Sequence, residues 1–164
     1  MSVPIIAEWA NFFAAEAESA ATLTGLVIVA VSINQARIIE TQGLPGRAVE
    51  TLSMLFSIVL TGTFGLVPGQ SEPALGGELL GTATILWLTI VTIEARTGRG
   101  PGEPRWSKPM RIAVGQIASL PMAIAGATLI AGTGGGLYWL LPAVICCLVG
   151  SMFNAWVLLV EIMR

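Results

Sequence analysis

The segment EARTGRGPGEPRWSKPMR, Glu94 to Arg111, holds five of the chain's eight Lys and Arg residues: Arg96, Arg99, Arg105, Lys108 and Arg111. Cations gathered in one Gly- and Pro-rich stretch have two explanations. They form a patch for phosphate, nucleic acid or another partner, or they form the loop that orients a membrane protein. The rest of the chain favours the second. Of its 164 residues 54% are apolar and 11% charged, and the mean hydropathy is +0.80. Soluble domains carry roughly 25% charged residues, so there is too little polar surface here to coat a soluble particle. A net charge of −2 also argues against a nucleic-acid partner, which calls for a basic protein. The expected solvent is the bilayer, and elements are then read in lengths of about 20 residues.

Working outward from the basic segment, five apolar stretches predict an all-α, polytopic helical bundle of five spans in a single membrane domain. They run from about Ser19 to Ala36, Val49 to Val67, Ala74 to Ala95, Ile112 to Ala131 and Leu137 to Met163. LPGR, PGQSEP, TGRGPGEP and GTGGG break the chain between them. Residues 1–18 read as an interfacial lead-in helix, with Ile5, Trp9, Phe12 and Phe13 at the boundary and Glu8 in water. Tyr138 and Trp139 are expected to join that aromatic belt. No basic n-region precedes the first span, so no cleavable signal is expected. With five spans, Arg37, Arg47, the cations of the 96–111 loop and Arg164 all fall on one side, and none on the other. The positive-inside rule then places the N-terminus outside and the C-terminus inside. The opening segment becomes the main cytoplasmic loop, in reach of anionic lipid.

Composition removes much chemistry. The chain has neither His nor Asp, which excludes His-ligated zinc, His-based acid–base pairs and the common intramembrane protease sites. Cys146 and Cys147 are adjacent within an apolar run, the spacing of neither a disulfide framework nor a redox motif. No catalytic residue, metal site or cofactor is expected, and an enzyme acting on lipid is the least favoured class.

The helix faces carry more. Lipid gives helices little hydrophobic reason to associate, so small residues at four-residue spacing mark packing faces. Ser57, Thr61 and Gly65 form such a row after Ser53, as do Gly115, Ser119 and Ala123, and Gly77 with Gly81 makes a G-x-x-x-G. Pro121 and Pro142 are expected to kink their spans. Polar stripes follow steps of three, four or seven. One runs through Asn11, Glu18, Thr22, Gly25 and Ser32, a second through Glu78, Thr82, Thr89 and Thr92, and a third through Cys147, Ser151, Asn154 and Glu161. Each is either an interhelical hydrogen-bond seam or part of a polar path. Glu8, Glu16, Glu18, Glu72 and Glu78 all fall on the outer side, where no cation offsets them and they would concentrate cations. Glu18 and Glu78 sit closest to hydrocarbon. In an oligomer with a shared axis either would form a ring, as in cation pores.

The runs AESAATLTGLVIVAVSIN, LPGRAVETL, LVPGQS and GGELLG resemble a family of small polytopic bacterial membrane proteins, some described as modulators of a membrane protease. The resemblance spans about the first hundred residues. It implies a bacterial inner-membrane setting and carries over no catalytic residue. SAATLTGLVIVAVSINQ is also similar to the pore helix of Orai calcium channels, although here that helix would cross in the opposite direction. Two functions are therefore expected: a homo-oligomeric pore or transport protein for small cations, with an acidic outer mouth, or a non-conducting regulator of an envelope complex. The one-sided charge distribution makes a direct prediction. A reporter active only in the cytoplasm, fused after Arg164, gives signal. A cysteine placed in GTGGG reacts with an impermeant thiol reagent from outside. Reversed accessibility would overturn the five-span topology.

Overall fold

The computed structural model describes residues 5–41, 43–96, 107–133 and 135–163. Its helices are α1 (Ile5–Glu8), α2 (Ala10–Ile33), α3 (Gln35–Glu40), α4 (Leu44–Gly65), α5 (Glu72–Arg96), α6 (Ser107–Ala131) and α7 (Leu140–Met163), with a 3-10 turn at Gly136–Trp139 before α7. The described residues contain no strand. Among the described residues four segments are long and apolar enough to cross a membrane, namely Ala10–Ile33, Leu44–Gly65, Glu72–Arg96 and Gly136–Val160, and Gly115–Ala131 is a shorter apolar stretch. Large apolar side chains cover the outside, among them Leu26, Phe56, Ile85, Leu120, Phe153 and Trp156. Exposed apolar side chains in this number are consistent with a multi-pass membrane protein. Of the basic segment, Arg99 and Arg105 lie outside the described residues, as does Arg164, and at Lys108 and Arg111 only the backbone is described.

Local chemistry sets the element ends. Gly43, at φ 92, turns the chain in the left-handed region that suits glycine, and Pro45 follows in the first turn of α4. LPGR is thus the start of a helix rather than a connector. The Ser71 hydroxyl accepts a bond from the Ala74 N–H at 3.4 Å at the start of α5, where Glu72 complements the helix dipole. Gly132 and Gly135 take positive φ in the turn before α7. Pro121 lies inside α6. Pro142 lies inside the apolar segment Gly136–Val160, as expected, but in the first turn of α7, where a missing N–H leaves no bond unmade. A second departure concerns the lead-in. No break occurs at Ser19; α2 runs unbroken from Ala10 to Ile33, because its first half is Ala- and Glu-rich with no Gly or Pro to interrupt it.

Helices α4, α5, α6 and α7 close a ring, each packed on two others, and α2 lies along α4. Thr61 of α4 reaches the Met122 sulfur of α6 across the ring at 4.0 Å. One apolar cluster joins Phe13, Leu79, Met122, Leu129 and Leu140; a second joins Ala20, Met54, Ile58, Leu86, Ala118 and Cys147. Ser57, Thr61, Gly65, Gly115 and Ser119 are buried, and Ala123 is half-buried. Gly77 and Gly81 do not join them, since both are exposed with nothing within 4 Å of an added Cβ. The close approach is made one residue earlier. A Cβ on Gly76 would stand 2.7 Å from the Gly126 carbonyl, and one on Gly126 would stand 2.6 Å from the Gly76 carbonyl. These two glycines let the α5 and α6 backbones touch.

Gly76→Val should therefore lower stability in detergent by roughly 1–3 kcal/mol or more. Gly81→Ala should be neutral or stabilising by up to about 1 kcal/mol, through helix propensity. Thermal unfolding midpoints check both; equal losses for the two variants would refute this packing.

Candidate functional site

The structure separates the sequence-predicted path residues into two places. Glu18, Thr22, Gly25 and Ser32 form one exposed face of α2, turned away from α4. Their hydroxyls bond back into their own helix, Thr22 to the Glu18 carbonyl at 2.8 Å and Ser32 to the Ile28 carbonyl at 2.7 Å. The face therefore makes no seam within one chain. Thr82 and Thr89 of α5 lie elsewhere. They line a crevice of about 90 Å³ against α4, facing Ser53 and Ser57 with Phe56 and Ile85 beside them. They too donate to their own helix, to Glu78 and Ile85 carbonyls at 2.8 Å each. Glu78 is half-buried and accepts a hydrogen bond from Gln70 Nε2 in the α4–α5 connector. Asn154 is half-buried on α7, and the side chain of Glu161 lies outside the described residues. Glu18 and Glu78 are not brought together within one chain, because α2 packs on α4 rather than on α5.

The aromatic belt is partly as expected. Trp9 meets Tyr138 edge to face at 5.0 Å and Phe12 at 5.4 Å, tying the start of α2 to the start of α7. Phe13 departs from the belt. It is fully buried, seated over Gly65.

The carboxylates expected on the outer side divide in the same way. Glu8 and Glu18 are exposed, and Glu72 and Glu78 are half-buried. Glu16, expected with them on the wetted side, is only 5% exposed, and neither carboxyl oxygen has a hydrogen-bond partner. It belongs to the buried set Phe13, Glu16, Ala20 and Val27, which faces the bundle. Ala17, beside it, packs against Gly62 of α4, where an added Cβ would stand 2.8 Å from the Ala17 Cβ and 2.6 Å from the Phe13 carbonyl. Cys147 of α7 lies within electrostatic reach of Glu16, and its sulfur is 4.0 Å from the Ser57 hydroxyl. Glu50 and Glu94 are buried as well, at the other end of the ring.

Glu16 was legible only in part. Phe13, Glu16, Ala20 and Val27 step by three, four and seven, as the Glu18 stripe does, so spacing alone offers two candidate inner faces. Among the described residues no group of three or more metal-ligating side chains occurs. Comparison with protein families, curated proteins and solved structures finds no match for this chain.

Proposed function

We propose that this chain is a five-span protein of the bacterial inner membrane, with its N-terminus outside, that assembles with copies of itself around a polar path for small cations. The exposed face of α2 carries this proposal. Because α2 begins at Ala10, Glu18 stands about 12 Å along it, deep enough to meet hydrocarbon rather than water. A carboxylate facing lipid at such depth is costly and is a functional candidate by default. A second α2 placed against it removes lipid from Glu18, Thr22 and Ser32 and leaves water on a shared axis. Gly25, with open space around an added Cβ, permits that approach. Carboxylates at the mouth replace part of a cation's hydration shell, and hydroxyls below offer weaker sites from which it leaves.

A second function has its own support. Between α2 and α7 lies an apolar groove of about 280 Å³, lined by Leu26, Val27, Ala30, Met152 and Trp156 among others. A groove of that character suits a non-conducting membrane protein that docks on a partner, such as a modulator of a membrane protease.

Two measurements separate these functions. With the native cysteines replaced by Ala, Thr22→Cys and Gly25→Cys should give oxidative cross-links between copies in the membrane, and Val27→Cys should not. Purified protein in liposomes should carry a cation flux that Glu18→Gln lowers several-fold without unfolding the protein. Flux unaffected by Glu18→Gln moves the path off α2. No flux and no cross-link from correctly folded protein overturns the pore and favours the docking function.

A further inference from the structure

Glu16 is left unexplained by a path along the exposed face of α2. Its position is about 180° around the helix from Glu18, so the two carboxyls cannot line one path within a chain. An ionised carboxylate buried without a partner is among the most unfavourable groups a protein can hold, and it ordinarily neutralises instead. Three sources of neutralisation are open: a cation from the protein, a bound metal ion, or a proton. The described cationic side chains, Arg37, Arg47 and Arg96, belong to α3, the start of α4 and the end of α5. All three lie at the far end of the bundle from Glu16. Among the described residues no group of three or more metal-ligating side chains occurs, as a built metal site would require. The proton remains.

We propose that Glu16 is a proton-binding site inside each protomer, reached by water from the α4–α5 crevice by way of Ser57. The crevice, about 90 Å³, is large enough for water, and Ser53, Ser57, Thr82 and Thr89 supply the polar partners that water needs there. Ser57 joins the two regions. It lines the crevice, and its hydroxyl also lies 4.0 Å from the sulfur of Cys147, which is within electrostatic reach of Glu16. The Ser57 proton is donated to the Met54 carbonyl at 2.7 Å, which leaves the hydroxyl oxygen able to accept from a water. The chemistry is one proton passing from a hydronium ion delivered along the water to a carboxylate oxygen: one O–H bond of the hydronium breaks, one O–H bond forms on the carboxyl, and a neutral water is left.

The groups facing Glu16 do not compete for the charge. From α7 they are the thiol of Cys147, with Cys146 beside it. From α4 at this level, Ser57, Ile58 and Thr61 do not titrate. On its own helix Glu18 points outward, Glu8 of α1 is exposed, and Glu78 of α5 is held by Gln70. This inference is independent of the pore, because a path between copies needs no proton on Glu16.

The test is infrared difference spectroscopy on full-length protein in lipid nanodiscs, read alongside magic-angle-spinning NMR of ¹³C-glutamate. At neutral pH the wild type should show a carboxylic-acid carbonyl band that Glu16→Gln removes and Glu8→Gln leaves intact. That band should shift on transfer to deuterated water, at least several-fold more slowly in Ser57→Val. Should Glu16→Gln fail to fold, the wild-type NMR spectrum still decides once its protonated glutamate is assigned, since that signal must belong to Glu16 and not only to the buried Glu50 or Glu94. A spectrum with every glutamate ionised at neutral pH overturns the site, as does a band that survives Glu16→Gln. An unchanged exchange rate in Ser57→Val overturns the route through Ser57. None of these readouts depends on flux, so a failed pore and a failed proton site give different results.

Discussion

Phe13 seated over Gly65 is the contact on which the rest of the arrangement depends. A side chain at Gly65 would collide with the Phe13 ring, and one at Gly62 would collide with the Phe13 carbonyl and with Ala17. Helix α2 can therefore lie on α4 at one rotation. That rotation turns Phe13, Glu16, Ala20 and Val27 inward and leaves Glu18, Thr22, Gly25 and Ser32 outside. In hydrocarbon no hydrophobic force pulls the two helices together, so the shape of this contact, and not its apolarity, selects the face. The same device recurs between α5 and α6, where Gly76 and Gly126 set the distance.

Helix α4 is the column around which these contacts are organised. It touches α2, α5 and α7, and its faces are specialised accordingly. Gly62 and Gly65 receive α2, Ser53 and Ser57 open the crevice toward α5, and Ser57 also reaches Cys147 of α7. Thr61 completes the ring toward Met122. Its hydroxyls bond to their own helix carbonyls, so they enter the apolar ring without demanding partners from neighbouring helices. That economy lets a helix with a polar row sit at the centre of a membrane bundle.

Two carboxyls two residues apart thus occupy opposite environments. Glu18 looks outward and acquires meaning only through whatever covers α2; Glu16 looks inward and depends on the protomer alone. One short stretch of chain can in this way serve both assembly and proton binding, because a helix turns about 100° per residue and separates neighbours in sequence by the full width of its barrel.

Composition and periodicity were enough to determine the all-helical class and the approximate extents of the apolar helices. Each of these rests on a sum over many residues, and the lengths imposed by a bilayer leave few alternatives. The rows on α4 and α6 were legible for a similar reason, since Ser57, Thr61, Gly65, Gly115 and Ser119 repeat at a spacing only one helix face can hold. Three things were decided by tertiary structure. Gly76 rather than Gly77 or Gly81 makes the close contact, because the partner glycine, Gly126, lies fifty residues away in sequence. Phe13 leaves the interfacial belt because Gly65 offers it a seat. Glu16 enters the core because that seat sets the rotation of α2, a helix whose own pattern offers two candidate inner faces. Local sequence determines that a helix forms, whereas only the surface it meets determines which side is inside.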